Sequence, residues 1–286
     1  MGVTETAKSV ILNHESGSSA EIYLYGAHVV SWKVGGKEKM FVSSKASLDG
    51  SKAIRGGIPI CFPTFGPPPS EPEEYARLAQ HGFARNQIWK FESTVMDRKE
   101  GVSVRFIAPS PPTDFKHNYK LSYVVTLSAH QLSTDVHIVN QETEKDKEFK
   151  FQTLLHTYLA TPNSSKLKIS NIDKGTTYID KILDAKTVTS QGEDIIIDRP
   201  IDRVYHKIPS QEIHVDDGEG SGYKVRFRGF EDATIWNPTE VKGKEIADME
   251  DKGWEKYVCV EPGYVREFKS LQPGEEFIGQ QIITVL

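Results

Sequence analysis

The chain has 286 residues, of which 37% are hydrophobic and 26% are charged, and its formal net charge is −5 at pH 7. This composition is ordinary for a soluble globular protein and indicates neither disorder nor a membrane protein. The negative net charge argues against a generic nucleic-acid binder, because phosphate contacts need a basic face, so we expect neither nucleic acid nor a membrane as a partner.

Strand-like runs extend over most of the chain, beginning at residues 20–25. The clearest hairpin joins residues 121–127 to residues 132–139, and the second arm alternates cleanly, so one of its faces should be buried. Further β-rich runs follow at residues 149–159, 166–172, 176–182, 194–198, 223–230, 233–236, 256–260 and 277–285. Only residues 71–79 and 240–250 have a helical pattern, and both segments are short.

Many short strands separated by Gly, Pro, Asn and Asp predict an all-β fold, a large antiparallel β-sandwich or a barrel. The proline-rich stretch at residues 66–72 must be a loop, because proline lacks the donor that a strand ladder needs. We find no repeat of fixed period and no convincing linker. A single domain over residues 1–286 is therefore expected, and a chain of this size buries roughly 75% of its unfolded surface.

The two cysteines, Cys61 and Cys259, lie far apart among apolar neighbours and are expected to be buried free thiols. Their spacing does not resemble a zinc site. The N-terminus lacks a basic stretch followed by an apolar run, and no segment has about 18 consecutive apolar residues. We expect a cytoplasmic protein.

Polar clusters interrupt the strand pattern at two loops. In the first, Arg55 precedes a pair of glycines that permit positive φ or close backbone approach, so the arginine can reach into a bordering cleft. In the second, Gln80, His81 and Arg85 offer groups that can donate to sugar hydroxyls or to an anion. Each string by itself is also typical of a solvated surface loop.

Three further residues are candidates for acid–base chemistry or binding. His156 lies within an apolar run and has an ordinary pKa near neutrality, although such a histidine is as often a hydrogen-bonded core residue. Glu261 ends an apolar run before a predicted Pro-Gly turn. If it is buried, its pKa is raised and it is a better base at neutral pH; if it is exposed at the turn, it is an ordinary strand-end carboxylate. Asp202 is alternatively a salt-bridge partner or a turn cap.

The strings that carry these residues resemble, in the same order, those of the glucose-6-phosphate 1-epimerases, the phosphosugar branch of the aldose 1-epimerase family. The resemblance extends over nearly the whole chain. Its strings are Arg-Gly-Gly-Ile-Pro-Ile-Cys-Phe-Pro at 55–63, Gln-His-Gly-Phe-Ala-Arg at 80–85, Leu-His-Thr-Tyr at 155–158, Ile-Trp-Asn-Pro at 235–238 and Val-Glu-Pro-Gly at 260–263.

The resemblance implies a supersandwich of the galactose mutarotase type, with few helices and a sugar cleft on its concave face. It implies that His156 and Glu261 are catalytic. The positions that match substrate-binding residues are Arg55, Gln80, His81, Arg85 and Asp202. Neither a metal nor an organic cofactor is implied, a hexose phosphate is the implied small-molecule partner, and a monomer is expected.

The implied reaction interconverts the α and β anomers of glucose 6-phosphate. Opening the ring requires a base at the C1 hydroxyl and an acid at the ring oxygen, and we assign Glu261 as the base and His156 as the acid. Three alternatives remain open. They are a mutarotase of an unphosphorylated hexose, a non-catalytic carbohydrate-binding sandwich, and a glycoside hydrolase that uses Asp202 and Glu261 as its two carboxylates.

Overall fold

The computed structural model describes residues 2–286, and Met1 lies outside that description. Strands make up 49% of the chain and helices of all kinds 8%, which confirms the all-β prediction. The strands in the described residues are β1 Gly2–Glu5, β2 Ser9–Asn13, β3 Ser19–Tyr23, β4 His28–Val34, β5 Lys37–Glu38, β6 Ile60–Cys61, β7 Lys90–Arg98, β8 Gly101–Ile107, β9 Tyr119–Leu127, β10 Gln131–Asn140, β11 Phe149–Leu155, β12 Tyr158–Ala160, β13 Lys168–Ser170, β14 Thr177–Asp180, β15 Lys186–Thr189, β16 Ile195–Ile196, β17 Ile201–His206, β18 Glu212–Asp216, β19 Gly222–Arg228, β20 Asp232–Asn237, β21 Tyr257–Leu271 and β22 Glu276–Val285.

Helices are few and short. The α-helices are α1 Glu73–Ala76 and α2 Thr239–Gly243, and the 3₁₀ helices are Ala84–Asn86, Ser164–Lys166, Lys181–Leu183 and Gly253–Lys256. Both predicted helical segments are present but shorter than expected. The reason is that each α-helix buries a single residue, Tyr75 or Gly243, so neither has an apolar stripe long enough to extend it. None of the helices in residues 2–286 is long and apolar enough to cross a membrane.

The strands form three antiparallel sheets. Strands β1 to β5 follow one another in a five-stranded sheet. The strand order in the nine-stranded sheet is β16-β13-β18-β19-β22-β10-β9-β8-β7. The order in the eight-stranded sheet is β15-β14-β17-β20-β21-β11-β6, and β12 also pairs with β21. The two larger sheets pack face to face: the rings of Phe151 on β11 and Phe277 on β22 are 5.5 Å apart. This arrangement confirms the predicted sandwich.

The predicted hairpin is formed by β9 and β10, where Leu132 lies opposite Leu127. Along β10 the alternate residues Leu132, Thr134, Val136 and Ile138 are all buried, while the residues between them are half-exposed. The clean alternation in the sequence therefore has the expected cause. One face of this hairpin packs into the core between the sheets, and the other faces outward.

Strand β21 continues past Glu261, where the sequence predicted a strand end and a Pro-Gly turn. It runs from Tyr257 to Leu271 and includes Pro262 and Gly263. A type II turn would need positive φ at the glycine, but Gly263 stays in the strand, opposite Leu154 of β11. A Cβ added to Gly263 would lie 2.8 Å from the Leu154 Cβ atom, so this glycine allows the two strands to approach closely. Glu261 is thus placed inside a central strand.

Candidate active site

A cleft of about 270 Å³ lies on the face of the eight-stranded sheet that is turned away from the nine-stranded sheet. Its floor is formed by Asp202 on β17, Thr234 and Trp236 on β20, and Glu261 on β21. Asp202 pairs with Trp236, and Thr234 pairs with Glu261, so these side chains share one face of the sheet. Loops supply the walls, through Arg55, Phe65, Gly66, Pro67, Gln80, His81, His156 and Lys181.

His156 enters the cleft from a break between β11 and β12. The sequence predicted one continuous strand over residues 149–159, but the ladder stops at Leu155 and resumes at Tyr158. The backbone N–H of His156 donates to the carbonyl of Pro59 at 3.0 Å. The imidazole is mostly buried, with 11% of the side chain exposed.

Glu261 is almost fully buried at the floor of the cleft, with 1% of its side chain exposed. Its Oε1 atom lies 3.2 Å from Nδ1 of His156, without the alignment of a hydrogen bond. Within residues 2–286, neither oxygen of Glu261 accepts a hydrogen bond, and Nδ1 of His156 is also unpartnered. Unsatisfied buried polar atoms are costly, and here they meet at a cleft wall and floor, where a ligand can supply the missing partners.

Burial shifts the pKa values of this pair in opposite directions. Burial, followed by the nearby Asp202 charge, raises the pKa of Glu261 well above its ordinary 4.5. Burial, followed by the charges of His81, Arg85 and Arg55, lowers the pKa of His156 well below its ordinary 6.5. Both shifts favour a neutral imidazole and a protonated carboxyl group, so that a proton shared by the pair resides on Glu261.

The loop before the 3₁₀ helix Ala84–Asn86 carries two of the predicted residues, Gln80 and His81, and the helix itself carries Arg85. His81 has φ of 66°, an uncommon value for a residue other than glycine, and its Nδ1 accepts a hydrogen bond from the N–H of Gly66 at 3.2 Å. Neutral His81 therefore carries its proton on Nε2 and can donate it in the cleft. Burial and then the Arg85 charge lower its pKa to about 3, which keeps the ring neutral. Gln80 lines the cleft beside it.

Arg85 is not part of the cleft wall. Its guanidinium donates to the backbone carbonyl of Gln80 at 3.0 Å, and its Nε is buried without a partner in the described chain. Among the seven residues selected from the sequence, six therefore line the cleft. Arg85 does not, although its charge still acts on His81 and His156.

Arg55 is fixed in the wall by two neighbours. Its Nε donates to Oδ1 of Asp248 at 3.0 Å, and its Nη1 donates to the hydroxyl of Tyr158 at 3.2 Å. The following Gly57 has φ of 61° and lies so close to strand β4 that an added Cβ would be 2.2 Å from the carbonyl of Val29. The glycine pair therefore has the role expected from the sequence, since it lets the backbone pass the strand and turn Arg55 into the cleft.

Lys181 is a cleft cation that sequence reasoning missed. It begins the 3₁₀ helix Lys181–Leu183, its Nζ lies 3.4 Å from Oδ1 of Asp202, and it sits 4.4 Å from the centre of the Phe65 ring. No motif surrounds it in the sequence. Its position depends on the pairing of β14 with β17, which brings the end of β14 next to Asp202. Burial raises the pKa of Asp202, and Lys181 opposes that shift.

Aromatic rings support His156. The Tyr158 ring stacks on the imidazole with centroids 4.9 Å apart at 11°, and Trp236 meets it edge-on at 5.7 Å. Both residues belong to strings that suggested the family resemblance, but neither was selected as a site residue. A sequence shows that a strand residue alternates with core residues. It does not show which imidazole the ring will face.

His156, Cys259 and Glu261 offer ligand atoms that all lie within 4.8 Å of one another. The donor chemistry of this group does not suit a metal. Burial raises the pKa of the Cys259 thiol as well as that of Glu261, whereas a metal ligand must lose its proton. Cys259 also does not line the cleft. A metal ion would therefore have to displace protons that burial favours on Cys259 and Glu261.

Comparison with known proteins identifies the family. The sequence profile of aldose 1-epimerases matches residues 8–284. The chain belongs to the aldose 1-epimerase family. It is 33% identical over 282 residues to a Cenchrus ciliaris protein that carries a provisional glucose-6-phosphate 1-epimerase name. The matched region covers 96% of this chain and 83% of that protein. An Escherichia coli K12 protein with the same provisional name is 31% identical over 264 residues, covering 90% and 83%.

Solved structures agree with this assignment. A Salmonella typhimurium protein described provisionally as a mutarotase superposes with a TM-score of 0.85 at 26% identity, over 99% of this chain and 92% of that one. Galactose 1-epimerase from Lactobacillus acidophilus NCFM gives a TM-score of 0.77 at 13% identity, over 100% and 98%, which supports the fold alone. The resemblance seen in the sequence is thus confirmed, and this aldose 1-epimerase is an enzyme of the isomerase class.

Proposed function

We propose that this aldose 1-epimerase interconverts the α and β anomers of glucose 6-phosphate, with His156 and Glu261 as its acid–base pair. The observation that carries the proposal is the unpartnered imidazole and carboxyl group, 3.2 Å apart where the cleft meets the central strand. The provisional names of the Cenchrus ciliaris and Escherichia coli relatives support the same substrate.

The spacing of the pair suits ring opening. The C1 hydroxyl and the ring oxygen are bonded to the same carbon, so the groups that take one proton and supply another must stand side by side. Glycoside hydrolases instead place two carboxyl groups about 5–9.5 Å apart, on either side of the scissile bond. A histidine and a glutamate 3.2 Å apart therefore favour the first chemistry over the second.

The reaction moves protons and leaves the protein unchanged. Glu261 takes the proton of the C1 hydroxyl while His156 gives a proton to the ring oxygen, so that the bond between C1 and the ring oxygen breaks and an aldehyde forms. Rotation about C1–C2 presents the other face of the aldehyde. The reverse transfers then close the ring as the opposite anomer, and no water, metal or covalent intermediate enters these steps.

We propose Arg55 and Lys181 as phosphate-binding groups at the cleft wall, with Arg85 contributing positive charge from outside the lining. Arg55 retains guanidinium donors beyond those used by Asp248 and Tyr158, and Lys181 has its ammonium group at the cleft. Charge-assisted donors are needed because the net charge of −5 gives a phosphate dianion no general attraction. Gln80, His81 and Asp202 are proposed to bind the sugar hydroxyls.

We also propose a single domain over residues 1–286 that acts on a hexose phosphate, because one continuous hydrophobic cluster includes residues of all three sheets. The monomeric state stays a prediction. The cytoplasmic location stays a prediction.

Two-dimensional exchange NMR on equilibrated glucose 6-phosphate, with and without the protein, tests the function. We expect exchange cross-peaks between the two C1 protons to grow faster with protein present, and the acceleration to be greater than that for free glucose at equal concentration. Equal acceleration of both sugars would indicate a mutarotase of unphosphorylated hexoses. No acceleration of either would indicate a carbohydrate-binding protein and end the proposal.

A further inference from the structure

The turn that carries His156 is tied to the opposite sheet by a buried hydrogen bond. The Oγ1 of Thr157, the next residue, donates to Oε1 of Gln281 at 2.9 Å. Gln281 lies on β22, in the nine-stranded sheet, and both side chains are fully buried. The bond therefore crosses the interior of the sandwich from the sheet without the cleft to the segment that holds the imidazole.

His156 occupies the centre of a tight turn. The N–H of Thr157 donates to the carbonyl of Leu155 at 2.9 Å, a hydrogen bond between residues two apart that is typical of a γ-turn. This turn breaks the regular alternation of the strand, so ladder pairing alone does not fix the direction of the imidazole. An additional restraint on Thr157 would limit the rotation of the turn.

A polar side chain at the Gln281 position needs a reason, because the residue is fully buried and an unsatisfied buried amide is costly. Its amide is satisfied on both sides. The oxygen accepts from Thr157, and Nε2 donates to Oγ1 of Thr134 at 3.3 Å. A fully satisfied buried network of this kind can specify one local geometry.

We propose that Thr157 and Gln281 are positioning residues for His156, holding its turn so that the imidazole stays next to Glu261. The inference rests on the proposed catalytic role of His156. Neither residue lines the cleft, so their effect is on the orientation of the imidazole and not on contact with the sugar.

The structure provides a matched control. Thr134 lies on β10, opposite Gln281 in the strand register, and is as fully buried as Thr157; its Oγ1 accepts a hydrogen bond from Nε2 of the same amide. Its bond, however, stays within the nine-stranded sheet and does not reach the turn. Thr134→Val and Thr157→Val thus each remove one buried hydroxyl that bonds the same amide, and only the second releases the turn.

The test compares Thr157→Val, Thr157→Ser and Thr134→Val by exchange NMR and thermal unfolding. Because a misplacement of about 1 Å can cost about 100-fold in rate, we expect Thr157→Val to lower kcat about 10- to 100-fold with little change in KM. Thr157→Ser keeps the hydroxyl and should stay close to the wild-type rate. Thr134→Val should lower Tm about as much as Thr157→Val but leave kcat nearly unchanged.

Gln281→Met removes the other partner of the same bond, so its loss of kcat should equal that of Thr157→Val. The double variant should show no further loss of kcat, because both substitutions break the same hydrogen bond between the sheets. Equal kcat losses in Thr157→Val and Thr134→Val, or no loss in either, would overturn the inference. His156→Asn is measured beside them. If it abolishes exchange while Thr157→Val does not, only the positioning role fails; if it keeps the wild-type rate, the proposed function of His156 and this inference fail together.

Discussion

Burial shifts the pKa values of the proposed acid–base pair, His156 and Glu261, in opposite directions. With the pKa of the imidazole lowered and that of the carboxyl raised, the form with one proton on Glu261 dominates between the two values. The form that the proposed mechanism requires, with Glu261 ionised and His156 protonated, contains the same number of protons. Only a shift of one proton within a pair 3.2 Å apart separates the two forms.

The pH dependence of the reaction follows from these shifts. With ordinary values, activity would need pH above 4.5 for the base and below 6.5 for the acid, which gives a narrow optimum. The shifted pair instead gains a second proton only below the lowered pKa of His156 and loses its last proton only above the raised pKa of Glu261. We therefore expect kcat/KM for glucose 6-phosphate to stay on a plateau through neutral pH. A sharp maximum at about pH 5.5 with loss of activity by pH 7 would contradict this account.

Most individual site residues could be selected from the sequence because they stand in polar strings that interrupt strands. Lys181 could not, since it lies within the ordinary β-rich run of residues 176–182 and reaches the cleft only through the pairing of β14 with β17. Tyr158 and Trp236 belong to the strings that carry the family resemblance, but their contacts with His156 depend on the pairing of strands that are distant in the sequence.

Short elements at the cleft wall carry the features that distinguish substrates. The 3₁₀ helix Lys181–Leu183 presents Lys181 beside Asp202 and Phe65, and its first residue is the cation on which selectivity for a phosphate can be tested most cleanly. Arg55 is less suitable, because its bonds to Asp248 and Tyr158 mean that its removal also disturbs the wall.

Lys181→Met should lower kcat/KM for glucose 6-phosphate more than for glucose. If the ammonium group binds the phosphate, the extra loss should be about 1.5–3 kcal/mol, or about 10- to 150-fold. Loss of Lys181 also removes a charge that lowers the pKa of Glu261, so part of the effect will be common to both sugars and only the ratio is informative. Lys168→Met is the control, because Lys168 lies on β13 of the nine-stranded sheet and likewise forms an ion pair, with Asp194. Equal losses on both sugars would show that Lys181 serves the ring or the fold.

The strands that the sequence predicted best are those with one buried face, such as β9 and β10. Two predicted strand boundaries were wrong, and both lie at residues that line the cleft. The predicted run 149–159 is broken at His156, because the backbone bonds there to the segment at Pro59 instead of continuing its ladder. The predicted end at Glu261 is absent, because Gly263 packs against β11 in place of forming a turn. Period-two patterning contains neither of these long-range contacts.

At the scale of the whole molecule, strands of the sandwich form the floor of the cleft and loops form its walls. The inner residues of the eight-stranded sheet pack toward β22, which leaves the alternate residues of β17, β20 and β21 free to form the cleft floor. The sequence could predict this architecture from strand spacing and from the family resemblance. It could not predict that Thr157 and Gln281, on different sheets, would be hydrogen-bonded across the interior.

The most direct test of the account is the anomer exchange rate of glucose 6-phosphate in Glu261→Gln and His156→Asn, measured with circular dichroism on the same samples. Each variant keeps the approximate shape but loses the titrating group, so the rate should fall by about 10²- to 10⁴-fold with an unchanged spectrum. The Tm of Glu261→Gln should not fall at neutral pH. Because the pKa of Glu261 is raised in the folded protein, its ionisation in the unfolded chain lowers the free energy of unfolding as the pH rises above 4.5. Glutamine does not ionise and so does not lose stability in this way. A near-normal rate in either folded variant would contradict the assignment of this pair.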